Sequence, residues 1–228
     1  MNPGTIRAVA GEFLGSALLT AVVIGSGIAA QSLSPTDTGL QLFENAFATA
    51  LGLAVLILVF QTVSGAHFNP VVSLVDAVLH RKGWAITAVY LPAQILGCIA
   101  GAILANLMFA EPAIAWGTTD RATWPHLLAE VVATAGLVLV IFALVRTGRG
   151  HLAAPAVGAY IGAAYFFTSS TSFANPAITI GRAFSDTFAG IAPASVLPFI
   201  AAQLIGAALG WALIRGLFPA SPARPMTA

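Results

Sequence analysis

Within the interior of this otherwise apolar chain an Asn-Pro step recurs in a matching setting, at Asn69-Pro70-Val71 and at Asn175-Pro176-Ala177. Proline fixes φ, lacks an N–H and is favoured in the first turn of a helix. The residue before it is pushed out of the helical region, so each asparagine reads as the cap of a helix that begins at its proline. Two such starts in the middle of hydrophobic sequence predict two broken helices at membrane depth. Few architectures tolerate that arrangement, because irregular backbone there must be buried in protein or line a wet cavity.

The surrounding composition makes the membrane unavoidable. Of 228 residues, 58% are hydrophobic and 7% charged, whereas soluble domains carry roughly 25% charged residues. The chain cannot cover a water-facing surface, and a lipid bilayer is the expected surrounding. A net charge of +1 without a basic stripe excludes nucleic acid as a partner. Cys98, the one cysteine, lies in an apolar run and reads as a packing residue. The histidines show no metal-ligand spacing, and no phosphate loop or nucleophile–base pair occurs. No cofactor, metal or enzymatic activity is expected.

Apolar runs fall at about 8–30, 42–63, 84–108, 127–147, 152–168 and 194–217, with short amphipathic pieces at about 70–80 and 176–185 after each Asn-Pro. The first run is longer than the ~7–15 residues of a signal-peptide core and reads as a membrane helix. The predicted fold is an all-α membrane protein with six transmembrane helices plus two re-entrant half-helices. One channel domain is expected over 1–228: a first half-repeat at 1–108, a polar linker at 109–126, a second half-repeat at 127–218 and a disordered tail at 219–228. Glu12 and Glu130 each stand early in the first helix of a half. Three spans per half force the second half to enter from the opposite side, which makes an inverted repeat. Six crossings place both termini together with Arg7, Arg81, Lys82, Arg146, Arg149, Arg215 and Arg224, leaving Arg121 and Arg182 opposite. The positive-inside bias then puts both termini in the cytoplasm.

Each half-helix is too short to span, so the two meet near the midplane with the positive ends of their dipoles facing. Asn69 and Asn175 would cap those ends and offer amide N–H groups to the lumen. The carbonyls of Gly65, Ala66 and His67, and of Ser170 through Phe173, would offer acceptors. A positive midplane repels cations. Glu12 and Glu130 would accept from unpaired loop N–H groups and hold the loops; the rival role is proton coupling in a transporter. Ion-coupled secondary transport is the competing function from another class, because it too uses inverted repeats and broken helices.

Ser64-Gly65-Ala66-His67-Phe68-Asn69-Pro70 and Ser172-Phe173-Ala174-Asn175-Pro176-Ala177, together with Glu12 and Glu130, resemble the aquaporin/glyceroporin (major intrinsic protein) family over essentially the whole chain. The resemblance implies an aquaporin-like homotetramer with one pore per subunit, passively conducting water or small neutral solutes. Val71 stands where alanine is commoner. Ile178 stands where the family usually carries the arginine of its outer filter. Counting from the asparagines places Thr49 at the position of a large aromatic and Ser172 on the loop position. The fourth filter position falls on Gly162, Ala163 or Phe166.

Loss of the arginine and the aromatic predicts a wider, less polar filter that admits glycerol-like polyols. A water-selective pore closed by another side chain is the alternative. The run from Tyr165 to Pro176 with Ile178 resembles a bacterial subgroup linked to arsenic handling, which implies a bacterial inner membrane and metalloid hydroxides such as arsenous acid as solutes. Arg182, one turn beyond Ile178, would either ring an outer vestibule, tied by Asp186, or stand as a solvated helix-end charge. Its counterpart in the first half is Asp76. His67 is expected to hold its loop and His80 to be a solvated loop residue. His126 and His151 lie at membrane boundaries. Trp84, Trp124 and Trp211 read as interface anchors, and Gly97, Gly101, Gly206 and Gly210 as close helix crossings.

Overall fold

The computed structural model describes residues 1–80 and 83–218, with the backbone alone at His80. The expectations for the His80 side chain, Arg81, Lys82, Arg224 and the 219–228 tail lie outside the described residues. Eight α-helices are present among the described residues: α1 (Pro3–Leu33), α2 (Thr38–Phe60), α3 (Pro70–His80), α4 (Trp84–Met108), α5 (Trp124–Arg146), α6 (Ala153–Phe167), α7 (Pro176–Arg182) and α8 (Pro193–Leu217). Helices α1, α2, α4, α5 and α8 are each long and apolar enough to cross a membrane.

Helix α6 is shorter than the apolar run at 152–168 suggests, with 15 residues. At 1.5 Å per residue it covers about 22 Å. The 3₁₀ turn Gly150–Leu152 runs directly into it and adds about 6 Å, which brings the pair close to the ~30 Å of a hydrocarbon core. Helix α7 also stops early, at Arg182, where the sequence pattern extended to residue 185. Together α3 and α7, with 11 and 7 residues, cover about 27 Å, so the two half-helices end to end make one further crossing.

The two halves are built alike. Helix α1 packs on α4 and α5 on α8, while α2 and α6 meet between the halves. Glycines set the crossings. A Cβ on Gly97 or Gly101 would run into the carbonyls of Phe13 and Ala17, and one on Gly206 or Gly210 into Val131 and Ala135. Backbones therefore approach where lipid supplies no hydrophobic drive, and contact area is gained through close packing. Each half-helix packs against the third span of the other half, α7 on α4 and α3 on α8. Gly181 of α7 lies against the Cys98 backbone, and Cys98 is fully buried.

Large apolar side chains such as Leu14, Phe47, Val55, Leu96 and Leu197 are exposed along the outer faces, as lipid contact requires. Trp84 and Trp124 stand exposed at the first residues of α4 and α5, while Trp211 packs partly buried beside Arg215. Below, the side carrying the N-terminus is the near side and the other the far side.

Candidate functional site

The loops before the two asparagines have the same backbone. Gly65, Ala66 and Phe68 take positive φ values of 90°, 52° and 48°, and Thr171, Ser172 and Ala174 take 63°, 52° and 48°. Left-handed residues cannot pair their N–H groups in a helix, and a non-glycine there costs of order 1–3 kcal/mol. Something must hold each loop.

In the first half Glu12 does so. Its Oε1 accepts from Ser64 Oγ at 2.6 Å and His67 N at 3.0 Å, and its Oε2 from Phe68 N and Gln94 Nε2, both at 2.7 Å. In the second half Glu130 Oε1 accepts from Ser170 Oγ at 2.7 Å and Phe173 N at 2.8 Å, and Oε2 from Ala174 N at 2.8 Å and Gln203 Nε2 at 2.6 Å. Each glutamine also reaches the half-helix of its neighbourhood, Gln94 to Ser73 Oγ and Gln203 to Thr179 Oγ1, both at 2.9 Å. Four donors per carboxylate offset the cost of burying it.

Gln94 and Gln203 are absent from the sequence reading. The signal was present: each is the one glutamine of an apolar span, three residues before the first glycine of its Gly-x-x-x-Gly pair.

Asn175 Oδ1 accepts from Ala177 N at 3.0 Å and Ile178 N at 3.2 Å, capping α7, and Asn69 Oδ1 accepts from Val71 N at 3.0 Å. Their amide nitrogens do something not anticipated from the sequence. Asn69 Nδ2 donates to Ala174 O, and Asn175 Nδ2 to Phe68 O, each at 2.8 Å. The half-helices are thus stitched tip to tip, and each amide keeps one N–H hydrogen.

A single cavity of about 220 Å³ passes both asparagines. Stripes at four-residue spacing wall it: Thr49, Leu53, Ile57 and Gln61 from α2 and its end, and Ala153, Val157, Ile161 and Tyr165 from α6. Leu19 and Val23 of α1 and Leu137 and Ile141 of α5 line the same lumen. Gly65, Ala66, His67, Ser172, Phe173 and Ile178 complete the polar segment. Pro70, Val71, Pro176 and Ala177 are buried behind it. His67 Nδ1 lies 3.0 Å from Ser73 Oγ, and its ring meets Tyr90 edge-on.

None of the sequence candidates for the fourth filter position, Gly162, Ala163 and Phe166, lines the cavity. Phe166 is 55% exposed on the outer face, Ala163 is exposed, and Gly162 packs against Ala50 of α2. Tyr165 lines the lumen instead, 3% exposed, with its hydroxyl 3.2 Å from Thr49 Oγ1. The i, i+4 stripe from Ala153 identifies it.

Arg182 is neither solvated nor paired with Asp186. It is 3% exposed and lines the far end of the lumen. Its guanidinium carbon lies 3.4 Å from the Phe173 ring centre, and Nε donates to Ala189 O. Asp186 instead accepts from Thr118 N at 2.8 Å and Thr118 Oγ1 at 2.9 Å. Asp76, the counterpart seven residues after Asn69, lines the near end of the same cavity.

Residues 2–174 match the model of the Major intrinsic protein family. The chain is 47% identical over 223 residues to the aquaglyceroporin AqpS of Rhizobium meliloti (strain 1021), covering 97% of this chain and 93% of that protein. It is 31% identical to the probable aquaporin TIP3-2 of Oryza sativa subsp. japonica, over 99% of this chain and 87% of that one. The solved structure of the aquaglyceroporin from Plasmodium falciparum superposes with a TM-score of 0.71 at 22% identity, covering 92% of this chain and 95% of that chain.

Proposed function

The chain belongs to the major intrinsic protein family, and from that premise we propose that the cavity past Asn69 and Asn175 is its conduction path, open to glycerol-like polyols and metalloid hydroxides such as arsenous acid as well as water. Passive passage of small neutral solutes is what the family does. The observation that carries the wider specificity is Ile178, whose alkyl side chain lines the lumen beside Thr49 and Ser172. No bulky aromatic or fixed cation occupies those three places.

The residue roles follow from this reading. Asn69 and Asn175 orient a passing hydroxyl with their free N–H hydrogens. The left-handed loops turn carbonyls toward it, and Glu12 and Glu130 hold the loops. Thr49, Tyr165, Ser172 and Ile178 form the filter. With the near side cytoplasmic, as Arg7, Arg146, Arg149 and Arg215 favour, the filter faces outward from a bacterial inner membrane. In a homotetramer, as the family resemblance implies, copies would meet through part of the exposed apolar outer surface.

A water-selective pore is the second reading, favoured by the Thr49–Tyr165 hydrogen bond that closes one side of the lumen. Stopped-flow light scattering on proteoliposomes separates the two. Entry of water, glycerol and arsenous acid faster than in empty liposomes supports the wide filter. Fast water with no solute entry overturns it, and no acceleration of any of the three overturns the channel.

A further inference from the structure

The two halves differ in chemical character at one cluster beside the lumen. His67, Tyr90 and Asp76 of the near half correspond to Phe173, Phe199 and Arg182 of the far half, by their matching distances from Asn69, Gln94, Asn175 and Gln203. The near set is polar and titratable. The far set is an aromatic pair, with ring centres 5.1 Å apart, carrying a guanidinium on its outer face.

Arg182 is buried without a counter-ion. Among the described residues no carboxylate pairs with it, and nothing accepts from Nη1 or Nη2. The nearby carboxylate of Glu130 is fully engaged by Ser170, Phe173, Ala174 and Gln203. Stacking on Phe173 holds the guanidinium plane in a fixed pose. A second cation, Arg121, lies 5.5 Å from the same ring, its Nε and Nη2 spent on the carbonyls of Gly190 and Phe188. An independent group points the same way: Ser172 Oγ is buried, lines the lumen and has no hydrogen-bond partner. Buried polar groups without partners are rare and call for an explanation.

We propose that Arg182 and Ser172 form a station for small monovalent oxyanions at the far constriction, where an anion binds and competes with neutral solutes instead of passing. A planar oxyanion meets the planar fork of the free Nη donors, and Ser172 adds a third hydrogen bond. Passage is opposed further in. On the near side the lumen wall includes Ile57, Ile141 and Val157, which offer a desolvated charge nothing, and Asp76 stands at the exit. The proposal rests on reading the cavity as a conduction path.

Nitrate is a suitable probe, because it stays charged at all working pH values. Labelled glycerol uptake into proteoliposomes is compared in potassium nitrate and potassium chloride of equal osmolarity. Nitrate should inhibit saturably and chloride several-fold less. Arg182→Leu should lose the inhibition, Arg182→Lys should keep part of it, and Ser172→Ala should weaken it several-fold. Binding is read apart from flux as a nitrate-dependent rise in melting temperature of the detergent-solubilised protein, present in wild type and lost in Arg182→Leu. Equal uptake in both salts with no nitrate-dependent melting shift in wild type overturns the station, and needs no variant to fold. Inhibition that survives in Arg182→Leu, or in both Arg182→Lys and Ser172→Ala at full strength, overturns the assignment to these residues. Absent glycerol uptake in chloride overturns the channel reading instead, and leaves the melting shift to decide the station.

Discussion

Gly15 lies against the Phe68 ring so closely that a Cβ there would overlap it. The corresponding residues of the second half are Ala133 and Ala174, both fully buried, so the bulk is distributed differently in the two halves. Gly15→Ala should therefore destabilise by about 1–3 kcal/mol through overpacking. Gly15→Ala with Phe68→Ala should recover part of that loss. Melting temperatures of the solubilised variants test this, and additive losses would show that the two sites are uncoupled.

Gln203→Leu removes one of four donors to Glu130 and leaves a buried carboxylate oxygen with Ala174 N alone. A cost of about 1–3 kcal/mol is expected, with the loop before Asn175 loosened and solute flux lowered. Gln94→Leu should behave alike on the near side. Wild-type melting in both would show that the amides are dispensable.

Tyr165 and Phe166 are neighbours with opposite fates in the fold. Tyr165→Ala should raise glycerol permeability relative to water several-fold, because it empties the wall opposite Thr49. Phe166→Ala should leave that ratio at the wild-type value, since its ring faces outward. A reversed pattern would return the filter position to Phe166.

Gly101 and Gly216 give a contrast on the helix crossings. A Cβ on Gly101 meets the Ala17 backbone, while nothing lies within 4 Å of one on Gly216. Gly101→Ala should sharply cut the yield of folded protein. Gly216→Ala should be neutral or gain up to about 1 kcal/mol from helix propensity. Size-exclusion profiles of the two variants read this directly.

Asp120, in the far-side loop, accepts from Ser195 Oγ at 2.6 Å and Ala122 N at 3.0 Å. The Ser195 hydroxyl first, and then the Ala122 N–H, hold its carboxyl below the ordinary value. A depressed folded pKa stabilises above the unfolded value of about 3.9 and is lost as pH falls through the folded one. Melting temperature should thus drop between pH 5 and pH 3 by more in wild type than in Asp120→Asn. Parallel pH curves would remove Asp120 from the account.

Much of the fold was legible because the bilayer restricts the menu. Asn-Pro steps inside apolar runs, paired glutamates and an odd number of spans per half lead to an inverted repeat of six crossings and two half-helices. Small-residue spacing likewise gave the crossings at Gly97, Gly101, Gly206 and Gly210. Where the pattern and the fold part company, the cause is geometric. Helix α6 reaches across with help from a 3₁₀ turn, and the face it turns to the lumen carries Tyr165 in register with Ala153, Val157 and Ile161.

The sequence by itself determined where helices break and which residues can cap them, since those are local consequences of proline, asparagine and hydrophobic run length. Tertiary structure decided what those residues touch. The crossed bonds from Asn69 to Ala174 and from Asn175 to Phe68 join residues more than a hundred positions apart, and no local rule specifies them. The same holds for Gln94 and Gln203 meeting the two glutamates. Arg182 is the clearest case: in the sequence it is a charge at a helix end, with water and Asp186 as its natural partners. Only the close packing of α7 against its surroundings, which folds Arg182 over Phe173 and turns Asp186 to Thr118, makes it a buried cation facing the lumen.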